Sequence, residues 1–69
     1  MENKPTFPRT ITIIDEDIEL FDVEVTSPDD IRNEITWAAS FNRERTNVWA
    51  SDDEYNYSVK DGLLITEKK

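Results

Sequence analysis

The chain has 69 residues, no cysteine and no histidine, and sixteen acidic against eight basic residues, for a formal net charge of −8 and a pI near 4.3. That length holds one domain, close to the lower limit at which a single core stabilises itself, and the two missing residue types exclude disulfides, thiolate or imidazole catalysis and thiolate zinc sites. The negative balance repels nucleic acids and anionic membranes and attracts basic protein surfaces, although excess carboxylate also serves simply to keep a small protein soluble.

Residues 1–9, with Pro5 and Pro8 and few apolar side chains, read as an irregular N-terminal arm whose end Phe7 pins; residues 10–67 read as a single α+β domain. The opening Met1-Glu2-Asn3-Lys4-Pro5 lacks a basic start followed by an apolar run, and no stretch approaches membrane-spanning length, so a cytoplasmic location is expected. The Asn56-Tyr57-Ser58 sequon is accordingly read as chance.

Thr10-Ile11-Thr12-Ile13-Ile14 is β-branched and alternating, which predicts a strand burying Ile11 and Ile13, ended by a turn at Asp15-Glu16-Asp17. Ile18 to Val25 is also strand-like, but its apolar phase shifts from Ile18 and Leu20 to Phe21, Val23 and Val25. A bulge near Leu20-Phe21 reconciles the two halves and sends Asp22 and Glu24 together to the face away from the core.

Ser27-Pro28-Asp29-Asp30 predicts a helix start: Ser27 as N-cap, Pro28 at the first helical position, and acids at the positive end of the helix dipole, with Asp30 placed as the third residue of a capping box. Ile31, Ile35 and Ala38 form its apolar stripe, with Ala39 and Phe41 at the margins and Trp37 well off centre, read as packing at the rim of the core. Asn42 suits a left-handed C-terminal cap and Arg43 and Arg45 the negative dipole end, so the helix is expected to stop between Phe41 and Arg45.

Thr46 to Ser51 reads as a short strand, Asp52-Asp53-Glu54 as a polar connection, and Tyr55 to Lys60 as a strand with Tyr55, Tyr57 and Val59 in phase. Asp61-Gly62 is the strongest hairpin signal, suited to a type I′ turn. If Lys60 pairs with Leu63, then Val59 faces Leu64 and Ser58 faces Ile65, leaving Leu63 and Ile65 on the face opposite Leu64. One helix covers one face of such a sheet, so Leu63, Ile65 and Trp49 are expected to form a homodimer contact. Lys68-Lys69 reads as a frayed tail. The fold class expected is therefore α+β, a small antiparallel sheet in ββαβββ order with one helix packed on one face.

No catalytic, metal or nucleotide signature is present, so the chain reads as a non-enzyme without cofactor or metal. Carboxylates in turns and on solvent-facing strand positions have nothing to raise a pKa for acid–base work. Asp15, Asp17 and Glu19 alternate as calcium ligands do, yet the run lacks the glycine and bidentate acid of an EF-hand. The scattered bases argue against direct nucleic-acid binding, since Arg43 and Arg45 flank Glu44.

The arrangement of acids is informative. No base lies between Arg9 and Arg32, where Asp15, Glu16, Asp17, Glu19, Asp22, Glu24, Asp29 and Asp30 fall; Asp52, Asp53 and Glu54 occupy a second base-free stretch. Alternate strand residues stand roughly 6.6 Å apart on one face, and carboxylates on adjacent elements could bring the density towards the one charge per about 3.4 Å carried by each DNA strand. A very short acidic chain without Cys or His, carrying these carboxylates, resembles the small DNA-mimic and host-takeover proteins encoded by bacteriophages. That resemblance implies a homodimer in the host cytoplasm whose acidic face occupies the DNA site of a basic host protein, such as nucleoid-associated HU, a restriction enzyme or a CRISPR effector, and inhibits it. Two alternatives stand beside it: an anti-defence or regulatory adaptor binding through Trp37, Trp49, Leu63 and Ile65, and a non-inhibitory accessory domain.

Overall fold

Alternation along the strands and a 3.6-residue stripe along the helix produce a two-layer structure. The computed structural model describes residues 4–41 and 47–69. Among them run β1 (Arg9–Asp15), β2 (Ile18–Val25), α1 (Pro28–Phe41), β3 (Val48–Ser51), β4 (Tyr55–Lys60) and β5 (Leu63–Lys68). The strands form one antiparallel sheet in the order β2-β1-β3-β4-β5, with α1 on one face. The ββαβββ α+β architecture is thus the one the sequence predicts. β1 opens one residue earlier than expected, at Arg9, and the expected helix cap at Asn42 to Arg45 and the start of β3 at Thr46 lie outside the described residues.

Period-two burial divides each strand. Ile11, Ile13, Val25, Ala50, Tyr55 and Tyr57 point to the helix and join Ile31, Ile35 and Ala38 in the core, with Phe7, Leu20, Phe21, Val23, Val48, Val59 and Leu64 packed around it. Cross-strand partners share a face, so the pairs Thr10↔Glu24, Thr12↔Asp22, Ile14↔Trp49, Thr12↔Ser51, Ser51↔Asn56 and Ser58↔Ile65 assign these residues to the uncovered face. The predicted bulge is real: Ile13 pairs with Phe21 but Ile14 with Glu19, leaving Leu20 as the extra residue.

Ser27 caps α1, its Oγ accepting from the Asp30 amide at 3.2 Å. The Asp30 carboxylate does not close the reciprocal box on Ser27. It reaches one residue further back and accepts from both the amide (2.9 Å) and the hydroxyl (2.6 Å) of Thr26. Those bonds hold the Asp30 carboxyl below its ordinary pKa and fasten the helix start to the end of β2. α1 then crosses the sheet obliquely: Arg32 comes within 3.5 Å of the Gly62 carbonyl beside β5, while Trp37 meets Phe21 of β2 edge-on at 6.3 Å.

The β4–β5 hairpin has the expected register, Lys60↔Leu63, Val59↔Leu64 and Ser58↔Ile65, closed by Asp61 (φ 54°) and Gly62 (φ 78°). The chain end is not frayed. Lys68 belongs to β5, its Nζ lies 5.1 Å from the Tyr55 ring centre, and the Lys69 amide donates to the Glu54 carbonyl at 2.9 Å.

Candidate functional site

The β1–β2 hairpin carries six of the predicted carboxylates: Glu19, Asp22 and Glu24 on the uncovered face, Asp15 on the opposite side of the strand, where it pairs with Ile18 and Val48, and Glu16 and Asp17 in the turn. Asp22 and Glu24, two apart on a strand, point from the uncovered face, with Glu19 on the same face across the bulge. Beyond them the chain turns through Glu16 and Asp17, flanked by Asp15 at the end of β1. No base occurs between Thr10 and Val25, so six carboxylates share this hairpin at the sheet edge.

Three hydrogen bonds fix how the hairpin presents its charge. The Thr12 hydroxyl donates to Asp22 Oδ1 at 2.6 Å across the strand pair and orients that carboxylate. Glu16 adopts φ 58°, a left-handed conformation that costs a non-glycine residue about 1 kcal/mol or more. β3 and the residue before it hold it there: the Glu16 amide donates to the Asn47 carbonyl at 3.0 Å, and Trp49 Nε1 donates to the Glu16 carbonyl at 2.8 Å. Trp49, expected in a dimer contact, therefore clamps the acidic turn and lies beside its cross-strand neighbour Ile14, which is only 8% exposed.

The remaining predicted acids lie elsewhere. Asp29 stands at the start of α1, 3.7 Å from Arg32, and Asp30 is occupied by Thr26. Asp53 is exposed in the β3–β4 turn. Glu54 pairs with Arg9 at 2.7 Å. Asp52 is part of the fold's internal structure: its side chain is 7% exposed, Oδ2 accepts from Arg9 Nε at 2.8 Å and from the Tyr57 hydroxyl at 2.5 Å, and Oδ1 accepts from the amides of Glu54 and Tyr55 at 2.8 Å each. Burial pushes the Asp52 carboxyl upward, but the Tyr57 and amide hydrogen bonds and the Arg9 charge outweigh it, and the group titrates below its ordinary value. Burial and the Asp52 hydrogen bond raise the Tyr57 phenol. The expectation that all these acids face solvent is corrected at Asp52. An Asp at the head of a short polar turn that leads into a strand is an Asx-turn signal, and Asp52-Asp53-Glu54-Tyr55 carries it.

Among the described residues exposed apolar side chains lie in three places, one of them Ile18, 63% exposed at the start of β2 within the acidic hairpin. Leu63 (68% exposed) and Ile65 (39%) occupy the free edge at β5. Trp37 is 56% exposed and stacks, tilted, on Phe41 at 5.3 Å, so it projects beyond the core rim where it was expected. Among the described residues no group of three or more acids, histidines or cysteines is arranged to hold a metal ion, every buried side-chain nitrogen or oxygen has a partner, and no helix is long and apolar enough to cross a membrane.

The fold and site together define an α+β chain with an acidic hairpin at one sheet edge, its residues 10–25 containing no Lys or Arg. Comparison with protein families, curated proteins and solved structures finds no match.

Proposed function

We propose that the chain is a protein-interaction module whose acidic β1–β2 hairpin mimics the charge of DNA, occupies the basic nucleic-acid-binding groove of a host protein and inhibits it. The single observation behind this reading is the hairpin itself: Asp15, Glu16, Asp17, Glu19, Asp22 and Glu24 on a segment without a base, its turn clamped by Trp49 and its central carboxylate oriented by Thr12. Charges held in place lose little entropy on binding, and a field of one sign speeds encounter with a field of the other. Asp29, Asp30, Asp52, Asp53 and Glu54 supply background field rather than contacts.

Immobilised protein is expected to retain basic DNA-binding proteins from a bacterial lysate at low salt. Raising the salt from about 50 mM to about 500 mM, which shortens the Debye length to roughly 4 Å, releases them, and so does added duplex DNA. The double variant Asp22→Lys/Glu24→Lys retains none. Retention that survives salt, DNA and charge reversal alike refutes the mimicry.

The exposed Trp37–Phe41 pair favours a second reading, an adaptor that docks through aromatic surface. In that case Trp37→Ala removes the partner while Asp22→Lys/Glu24→Lys leaves it bound.

A further inference from the structure

We infer that β5 is a self-pairing edge, through which two copies of the chain join their sheets into one antiparallel ten-stranded sheet about a two-fold axis at Ile65. The inference does not rest on the mimicry reading.

Among the described residues no further strand pairs with β2 or β5, and these two sheet edges differ. β2 carries Glu19, Asp22 and Glu24 without a base and is broken by the bulge at Leu20. Pairing it with its own copy would oppose like charges on an irregular ladder, and both features are the usual protection of an exposed edge. β5 has neither. Its register against β4 is unbroken over six pairs, and its uncovered face bears Leu63 and Ile65.

The direction of its free hydrogen-bonding groups follows from the hairpin. In a two-residue hairpin the closing pair Lys60↔Leu63 is hydrogen-bonded, and such pairs alternate along an antiparallel ladder. Leu63, Ile65 and Glu67 therefore turn their amides and carbonyls towards β4, a parity continued by the Lys69 amide on the Glu54 carbonyl. Leu64, Thr66 and Lys68 turn theirs outward, and among the described residues no backbone group bonds them.

Symmetry and charge then select the register. A two-fold axis normal to the sheet keeps odd residues opposite odd ones. Centring it on Leu64 sets Glu67 against the second copy's Asp61 and Lys68 against its Lys60, both repulsive. With the axis at Thr66, Leu63 and Leu64 face lysines and Ile65 faces Glu67. Centring it on Ile65 places Ile65 against Ile65 as a close, non-hydrogen-bonded pair, joins the outward groups of Leu64 to those of Thr66, and brings each Lys69 to the other copy's Asp61. This last register also sets each Leu63 against the other copy's Glu67, but of the three it is the one that combines an apolar central pair with complementary charge at both ends. One short strand per copy makes a small contact, so the association is reversible.

The absence of cysteine makes the test direct. The unmodified chain is expected to sediment as a concentration-dependent dimer. Among the single variants Leu63→Cys, Ile65→Cys, Thr66→Cys and Glu67→Cys, oxidation links Ile65→Cys fastest, by roughly tenfold, because a close pair places its Cα atoms about 4.5 Å apart, within disulfide range and at high effective concentration. Fastest cross-linking at Thr66→Cys refutes this register. A chain that stays monomeric at millimolar concentration, with equal cross-linking at all four positions, overturns the inference. Salt-released capture of a basic partner is read independently of either outcome.

Discussion

Asp52→Ala is expected to cost about 3–5 kcal/mol, the range for removing one partner of a buried ion pair. A chain of this length has roughly 3–10 kcal/mol in all, at ordinary stability per residue, so the variant loses between a third and all of its stability. The reason lies in what is left behind: the Arg9 guanidinium, whose side chain is 13% exposed, the Tyr57 hydroxyl and the amides of Glu54 and Tyr55 all lose the acceptor they share. Asp52→Asn keeps an oxygen for the amides but loses the charge opposite Arg9, and falls between wild type and alanine. Tyr57→Phe removes one hydrogen bond to a charged group, worth about 1.5–3 kcal/mol. Urea unfolding followed by circular dichroism measures all three; an Asp52→Ala midpoint equal to wild type would show the hub to be dispensable.

The same residues set the pH range. Asp52 binds its proton more weakly in the folded chain than in the unfolded one. Its contribution is therefore complete above the unfolded value of about 3.9 and drains away as the pH falls through the lower folded value. Asp30 acts in the same direction. Tyr57 acts at the other end: its folded value is raised, so its contribution is complete below the unfolded value of about 10 and is lost as the pH rises through the folded one. Unfolding curves at pH 3 to 7 are expected to converge for wild type and Asp52→Asn towards the acid end.

Ile13→Ala is the second large effect, at about 2–5 kcal/mol. Ile13 is fully buried under the helix between its cross-strand partners Phe21 and Ala50, so truncation leaves a cavity in the core between helix and sheet. Ile14 is the control. It is nearly as buried but points to the uncovered face, beside Trp49 and Glu19, where solvent and the indole close over a lost side chain. Ile14→Ala is expected to cost roughly half as much, because a site that collapses pays less of the cavity term. Denaturant midpoints at unchanged m-value compare the two; equal losses would mean that the two faces are equally packed.

Several features of this protein were legible before any coordinates. The bulge at Leu20 was written in the shift of apolar phase along β2, the helix start in Ser27-Pro28-Asp29-Asp30, and the β5 register in Asp61-Gly62. Each is a local matter, settled by residues within a few positions of one another, so alternation, capping and turn chemistry suffice. The cation-free run that becomes the acidic hairpin was equally visible, because a hairpin with a two-residue turn keeps neighbours in sequence together in space.

Other assignments went differently for one reason. Asp52 looked like one more solvent-facing acid until Arg9, 43 residues away, and Tyr57 met on it. Trp49 looked like spare apolar surface until the strand order brought it to the Glu16 carbonyl, 33 residues distant. Lys68 and Lys69 looked like a tail until β4 supplied Tyr55 and Glu54 as partners. The sequence by itself determined the elements, the charge and the turns, since these depend on short-range sterics and composition. Only the tertiary structure decided which acids are spent inside the fold and which remain on its surface, because a carboxylate's burial depends on what the rest of the chain folds against it.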